Sequence, residues 1–174
     1  MRIPASSKLL EIGPGEGHLS RLLGTMGYHV TAVDLEQRST LPTIVTDFQA
    51  WEAKDMRFAC IVASLVLHHL PNLQAILRKM HRLLEPQGVV VIDDYGWERL
   101  EANQARAQWS DTWEAEMRVW RDERKHLHRS DVMLETLRSH FEEIAYRDHA
   151  YFADGLGSDA MAFTFIGRRK PDRT

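Results

Sequence analysis

A short apolar run, Leu9-Leu10-Glu11-Ile12, ends at Gly13-Pro14-Gly15-Glu16-Gly17, and a helix-period segment follows at once. In that segment Leu19, Leu22, Leu23 and Met26 stand at i, i+3, i+4 and i+7, one face of a helix that Gly27 closes. A strand, a glycine turn and a helix packed this tightly open a βαβ unit, which commits the chain to a parallel sheet. Glycines at such a turn let a ligand approach the backbone, and the helix start offers it free N–H groups.

The spacing of the turn separates one ligand class from another. A dinucleotide turn reads G-x-G-x-x-G, and here His18 stands where its third glycine belongs. That counts against an NAD-dependent oxidoreductase. Glu11 precedes the first glycine by two residues, a carboxylate that repels a pyrophosphate and suits an ammonium or sulfonium group. Asp34 ends the next strand, HVTAVD (29–34), where a carboxylate can accept both hydroxyls of a ribose. Asp47 and Phe48 follow a third, shorter run, PTIV (42–45), and pair an acid with an aromatic ring. Together these residues ask for a nucleoside with a cationic amino-acid tail. The structural alternatives are a plain tight turn for Gly13 and Gly17, and strand-end or capping aspartates for Asp34 and Asp47.

The rest of the first half keeps the alternation. FACIVASLVL (58–67) reads as a buried strand running into a turn. Pro71 opens a helix carrying Leu73, Ile76, Leu77, Met80 and Leu84, and VVVID (89–93) is a β-branched strand. Residues 97–127 carry four of the five tryptophans and read as one or two helices inserted after the fifth strand. Trp109, Trp113 and Trp120 are expected on one helical face, as an aromatic cover for an acceptor or as packing. Arg106, Arg118, Arg121 and Arg124 on this segment meet an acidic substrate or form a solvated face. Ser130 is the expected cap of a further helix. EIAYRDHAYF (143–152) and AMAFTFIG (160–167) form a terminal hairpin pair around a glycine-rich loop.

In order and spacing, these segments resemble the class I S-adenosylmethionine-dependent methyltransferases. The resemblance covers residues 8–94 closely and 130–168 loosely, through LLEIGPGEGHLSRLL, HVTAVDLE, VTDFQAW and SLVLHHLPN. It implies one domain over 1–174, an α/β, Rossmann-like, doubly wound and mostly parallel seven-stranded sheet with a terminal antiparallel pair. It implies S-adenosyl-L-methionine as the cofactor. Glu11, Gly13 and Gly15 would then line its methionine part, with Gly17 allowing tight helix–strand packing. Asp34 would take the ribose hydroxyls with Leu35 flanking the adenine, Asp47 and Phe48 would hold the adenine, and Ser64 would offer a backbone carbonyl to the ammonium.

Methyl transfer from a sulfonium releases a neutral thioether and needs no acid, so catalysis rests on positioning and desolvation. A base is needed only where the acceptor loses a proton. His69 is the first candidate base, and Asp94 or its neighbour Asp93 a candidate partner of the acceptor. Gly155–Ser158 in the late loop is a third element expected at the site. The turn after the fourth strand, Ser64-Leu65-Val66-Leu67, lacks the Pro-Pro-aromatic pattern of enzymes that methylate exocyclic amines of DNA bases. One cysteine, Cys60, excludes disulfides and thiolate clusters. His68, His69, His126 and His128 lack the spacing of a metal motif, and no metal is expected.

The net charge of -3 argues against nucleic acid as a general partner. No apolar run approaches the ~20 residues that span a bilayer, and a cytoplasmic setting is expected. The leading expectation is methyl transfer to an oxygen or nitrogen of a small organic acceptor. The alternative is a non-catalytic cofactor-binding or scaffold subunit. Only eight residues precede Leu9, so the expectation is that the site is open, or that the 97–127 insertion or the second copy of a homodimer closes it.

Overall fold

The computed structural model describes residues 3–151 and 158–171. Seven strands form one sheet: β1 (Lys8–Ile12), β2 (His29–Asp34), β3 (Ile44–Val45), β4 (Phe58–Ser64), β5 (Leu84–Tyr95), β6 (Phe141–Tyr151) and β7 (Ser158–Arg169). Their order is β3-β2-β1-β4-β5-β7-β6. The first five pair in parallel, β7 runs antiparallel to β5, and β6 antiparallel to β7. The strand order reverses direction at β1 and β4, which places a crevice at their carboxyl ends.

Alternation along β1 shows how the sheet is covered. Leu10 and Ile12 belong to the main core, shared with Ile76, Leu77 and Met80 of α2 (Leu73–Leu83) and with Met133 and Leu137 of α5 (Ser130–His140). Leu9 points to the other face, where Leu19 and Leu23 of α1 (His18–Thr25) pack. The core strands Phe58–Ser64 and Val89–Ile92 are buried almost throughout, as strands covered on both faces must be.

Several local expectations need correction. The third strand is only Ile44–Val45, an exposed edge held by two pairs to Val33 and Asp34. Helix α2 starts at Leu73 rather than at Pro71, because Asn72 caps it by accepting the Ala75 N–H at 3.1 Å. Ser130 does not cap α5 but is its first residue. The Glu98 carboxylate takes the Ser130 N–H at 2.8 Å and so performs the capping from 32 residues away.

The insertion contains two helices, α3 (Ala102–Trp109) and α4 (Trp113–Arg124). A single 3-10 turn at Ser110–Thr112, entered through a left-handed Ser110 (φ 47°), separates them. The tryptophans therefore do not share one helix face. They still converge: Trp109 and Trp120 lie 6.3 Å apart, and Trp97 and Trp113 pack around the same buried cluster of Tyr95, Leu100, Met117, Trp120 and Met161. Arg106 stacks on Trp113 and Arg124 on Trp120, which spends both guanidinium groups on packing.

Candidate active site

A cavity of about 610 Å³ opens at the carboxyl ends of β1, β2 and β4. Its floor is the glycine turn. Gly13 adopts φ +68°, and its N–H donates to the Val33 carbonyl at 2.9 Å. A Cβ at that position would lie 2.7 Å from Val66 Cγ2, so both the backbone angle and the neighbouring turn demand glycine. Gly15 lines the cavity, and its N–H donates to Asp34 Oδ2 at 3.1 Å, which ties the turn to the end of β2. The Leu35 N–H donates to the other Asp34 oxygen at 2.7 Å.

Gly17 sits elsewhere. It caps α1 in a left-handed conformation (φ 75°) and does not line the cavity. A Cβ there would lie 2.9 Å from Ser39 Oγ, so its close packing is against the 39–41 loop and not against a strand.

Glu11 lines the cavity while only 3% exposed. Ser20 Oγ, from the first turn of α1, donates to its carboxylate. Burial pushes the Glu11 pKa above its usual range, the Ser20 hydrogen bond opposes that, and Asp34 adds to it. An arriving cation would relieve a carboxylate held in this way.

Asp47, Phe48 and Ser64 also border the cavity, as does the exposed Leu35. Asp47 Oδ1 accepts the Gln49 N–H at 2.7 Å and shapes its own loop. The loop is fixed from below by Lys79 of α2, a residue the sequence reading missed. Lys79 Nζ donates to the carbonyls of Phe48 (2.6 Å), Gln49 (3.1 Å) and Trp51, and lies over the Phe48 ring. Burial, then Arg82, lowers its pKa.

The turn after β4 supplies the far wall through Leu65, Val66, His69 and Leu70. Leu65 is left-handed (φ 53°), and a 3-10 turn follows at Leu67–His69. His69 is exposed to the cavity. Burial of part of its ring, then the neighbouring His68, lowers its pKa, with Asp94 opposing. The imidazole is therefore neutral at pH 7 and able to accept a proton.

Asp94 is not at the cavity, which corrects the expectation that it meets the acceptor. It is wholly buried behind the turn. Its Oδ2 accepts the N–H groups of Leu67 (2.9 Å) and His68 (3.3 Å), and its Oδ1 lies 2.6 Å from His68 Nδ1. Alternation sends Asp93 to the opposite face, where its Oδ1 meets His149 Nε2 at 2.9 Å and accepts from Thr164 Oγ1 at 2.8 Å. His128 holds the turn from the other side: its N–H donates to the His68 carbonyl and its Nε2 to that of Leu70 at 2.8 Å. Among the described residues no group of three or more His, Cys, Asp or Glu is placed to hold a metal. Gly155–Gly157 of the late loop lie outside the described residues, and Ser158 begins β7.

No helix among the described residues is long and apolar enough to cross a membrane.

Residues 1–149 match the methyltransferase domain family. An uncharacterized methyltransferase of Oceanobacillus iheyensis is 31% identical over 111 residues, 58% of this chain and 52% of that protein. The ubiquinone biosynthesis O-methyltransferase of Pseudomonas aeruginosa is 26% identical over 102 residues, 51% of this chain and 44% of that protein. The chain thus spans about half the length of the curated relatives it matches. The N-methyltransferase NodS of Bradyrhizobium japonicum, solved with S-adenosyl-L-homocysteine, shares the fold with a TM-score of 0.65 at 17% identity, over 95% of this chain and 79% of that one. With the match extending over most of its length, the chain belongs to the methyltransferase domain family.

Proposed function

We propose that this chain binds S-adenosyl-L-methionine in the cavity above the glycine turn and transfers its methyl group to an oxygen or nitrogen of a small organic acceptor. One observation carries the reading: carboxylates from three successive strand ends, Glu11, Asp34 and Asp47, border one cavity around glycine backbone. That set of acceptors fits an amino-acid cation, a ribose diol and an adenine amino group, and it disfavours a pyrophosphate. The cofactor supplies a methyl group on a sulfonium, whose departure as a thioether needs no proton.

The residues of the chain then have separable roles. Glu11 and the Ser64 carbonyl side of the cavity attract the cationic end. Asp34 orders the diol while holding Gly15. Asp47, Phe48 and Leu35 surround the base. His69, neutral at pH 7, takes a proton from an acceptor that must lose one. None of the residues of the insertion at 97–127 lines the cavity, and its part in this proposal is as a cover over the acceptor, outside the cofactor's own walls. Relatives named for both O- and N-methylation support either nucleophile.

Titration calorimetry with S-adenosylmethionine, S-adenosylhomocysteine and NAD tests the cofactor assignment. Binding of the first two and not of NAD is expected. NAD binding without them overturns the reading. Release of S-adenosylhomocysteine in the presence of a panel of phenols, amines and carboxylic acids then tests the acceptor class.

A further inference from the structure

A second concavity, of about 560 Å³, lies at the opposite end of the sheet. The chain leaves the cofactor cavity at Pro71, and helix α2 then runs away from it, carrying Arg78, His81 and Arg82 to the far end. There they meet His140, which ends α5, and Lys170, which follows β7. Five of the residues around this concavity are basic and none is acidic, in a chain whose net charge is -3.

The bland account is that basic side chains complement the C-terminal ends of α2 and α5. It explains part of the cluster. Lys170 Nζ donates to the carbonyls of Arg138 (2.7 Å) and Ser139 (3.3 Å) in the last turn of α5. Two helix ends together present only about one negative charge. Arg78, Arg82 and Lys170 carry three permanent positive charges, so the concavity stays net positive.

The two arginines have no other employment. Arg78 and Arg82 stand four residues apart on one exposed face of α2, and neither has a hydrogen-bond or ion-pair partner among the described residues. The nearby acids are engaged outside the concavity, Glu143 by Arg138 at 2.7 Å and Glu142 by Arg168 at 4.0 Å. His81 Nε2 faces the Lys170 carbonyl at 2.9 Å and His140 Nε2 faces Gln74 Oε1 at 2.8 Å, which orients both rings. Burial, then Arg78, His81 and Lys170, lowers the pKa of His140, so that ring already senses uncompensated positive charge.

We propose that this concavity is a binding site for the phosphoryl group of a small molecule, held by the paired guanidinium groups of Arg78 and Arg82 with Lys170 and the two histidines around it. Two adjacent guanidinium forks match the oxygens of a phosphate dianion better than a point charge does. The site is separate from the cofactor cavity, so the proposal stands or falls independently of the methyl-transfer reading.

Imidazole NMR of His140 and His81 tests it, with the whole chain at low ionic strength. Inorganic phosphate and glycerol 3-phosphate are titrated against chloride at matched ionic strength. A saturable shift of the His140 resonances and a raised His140 pKa are expected with both phosphates. Equal affinity identifies the free ion as sufficient, and tighter glycerol 3-phosphate binding identifies a phosphorylated metabolite. Arg78→Gln and Arg82→Gln, both at exposed positions, should each weaken binding about tenfold, while affinity for S-adenosylhomocysteine stays unchanged. A response that chloride reproduces, or one that both variants retain in full, overturns the proposal.

Discussion

Asp94 Oδ1 stands 2.6 Å from His68 Nδ1, and the two side chains are 0% and 4% exposed. A carboxylate only accepts, so Nδ1 carries the proton. The same carboxylate holds the Leu67 and Tyr95 N–H groups. The turn that carries His69 into the cavity is thus fastened to β5 by one buried group. Asp94→Ala leaves those donors unpaired in the interior and should cost about 3–5 kcal/mol of stability. Asp94→Asn should recover part of that loss. Denaturant melts of the two variants check this; equal, wild-type stability for both would remove Asp94 from the support of the turn.

Asp34 tests the nucleoside assignment. Asp34→Ala should lower affinity for S-adenosylhomocysteine by about 1–3 kcal/mol, the loss of charge-assisted hydrogen bonds. Calorimetry on the folded variant measures it. An unchanged dissociation constant would separate Asp34 from the ligand and leave it only its bond to Gly15.

Gly13→Ala should abolish measurable cofactor binding, since it combines a left-handed angle with a 2.7 Å approach to Val66. Adding Val66→Ala relieves the contact and not the backbone angle, whose strain costs about 1–3 kcal/mol. Partial rescue of binding in the double variant is expected. Full rescue would mean the backbone angle is unimportant.

His69 gives the pH dependence its sign. Its folded-state pKa lies below the ordinary 6.5, so the native protein binds that proton less readily than the unfolded chain. The associated stability is present above 6.5 and is lost as pH falls below it. A reaction that uses neutral His69 as base should likewise be pH-independent near 7 and decline only at lower pH. In His69→Asn turnover should fall more than affinity for S-adenosylhomocysteine, and the acid limb should vanish. A pH–rate profile identical to the wild type would exclude the base role.

Trp120→Ala should cost about 3–5 kcal/mol, because Trp120 is buried among Tyr95, Leu100 and Met117 and donates Nε1–H to the Trp97 carbonyl at 3.1 Å. Hydrogen exchange should locate the loss in α3 and α4. Exchange that rises evenly across the sheet as well would argue that the insertion has no core of its own.

The parts of the site that could be read from sequence are those written in local pattern. Glu11, Gly13, Gly15 and Asp34 lie within one βαβ unit, where spacing and strand ends fix their positions. The parts that could not be read depend on distant partners. Asp94 takes its role from a turn 26 and 27 residues earlier, and Glu98 caps a helix 32 residues later. Lys79 reaches carbonyls about 30 residues away. The tryptophan spacing promised one helix face and failed at Ser110, whose left-handed backbone no periodicity reveals.

The insertion is pinned at both of its ends. Glu98 grips Ser130 as it begins, and His128 grips the carbonyls of His68 and Leu70 where it finishes. The stretch between these two ties can change in length without loosening either of them, provided its replacement still packs on Tyr95, Met161 and Ala162. Loop closure grows dearer only slowly with length. Under the function proposed above, the segment from Leu100 to Leu127 would be an exchangeable cassette, the place where a methyltransferase of this plan acquires a new acceptor while its cofactor chemistry stays untouched.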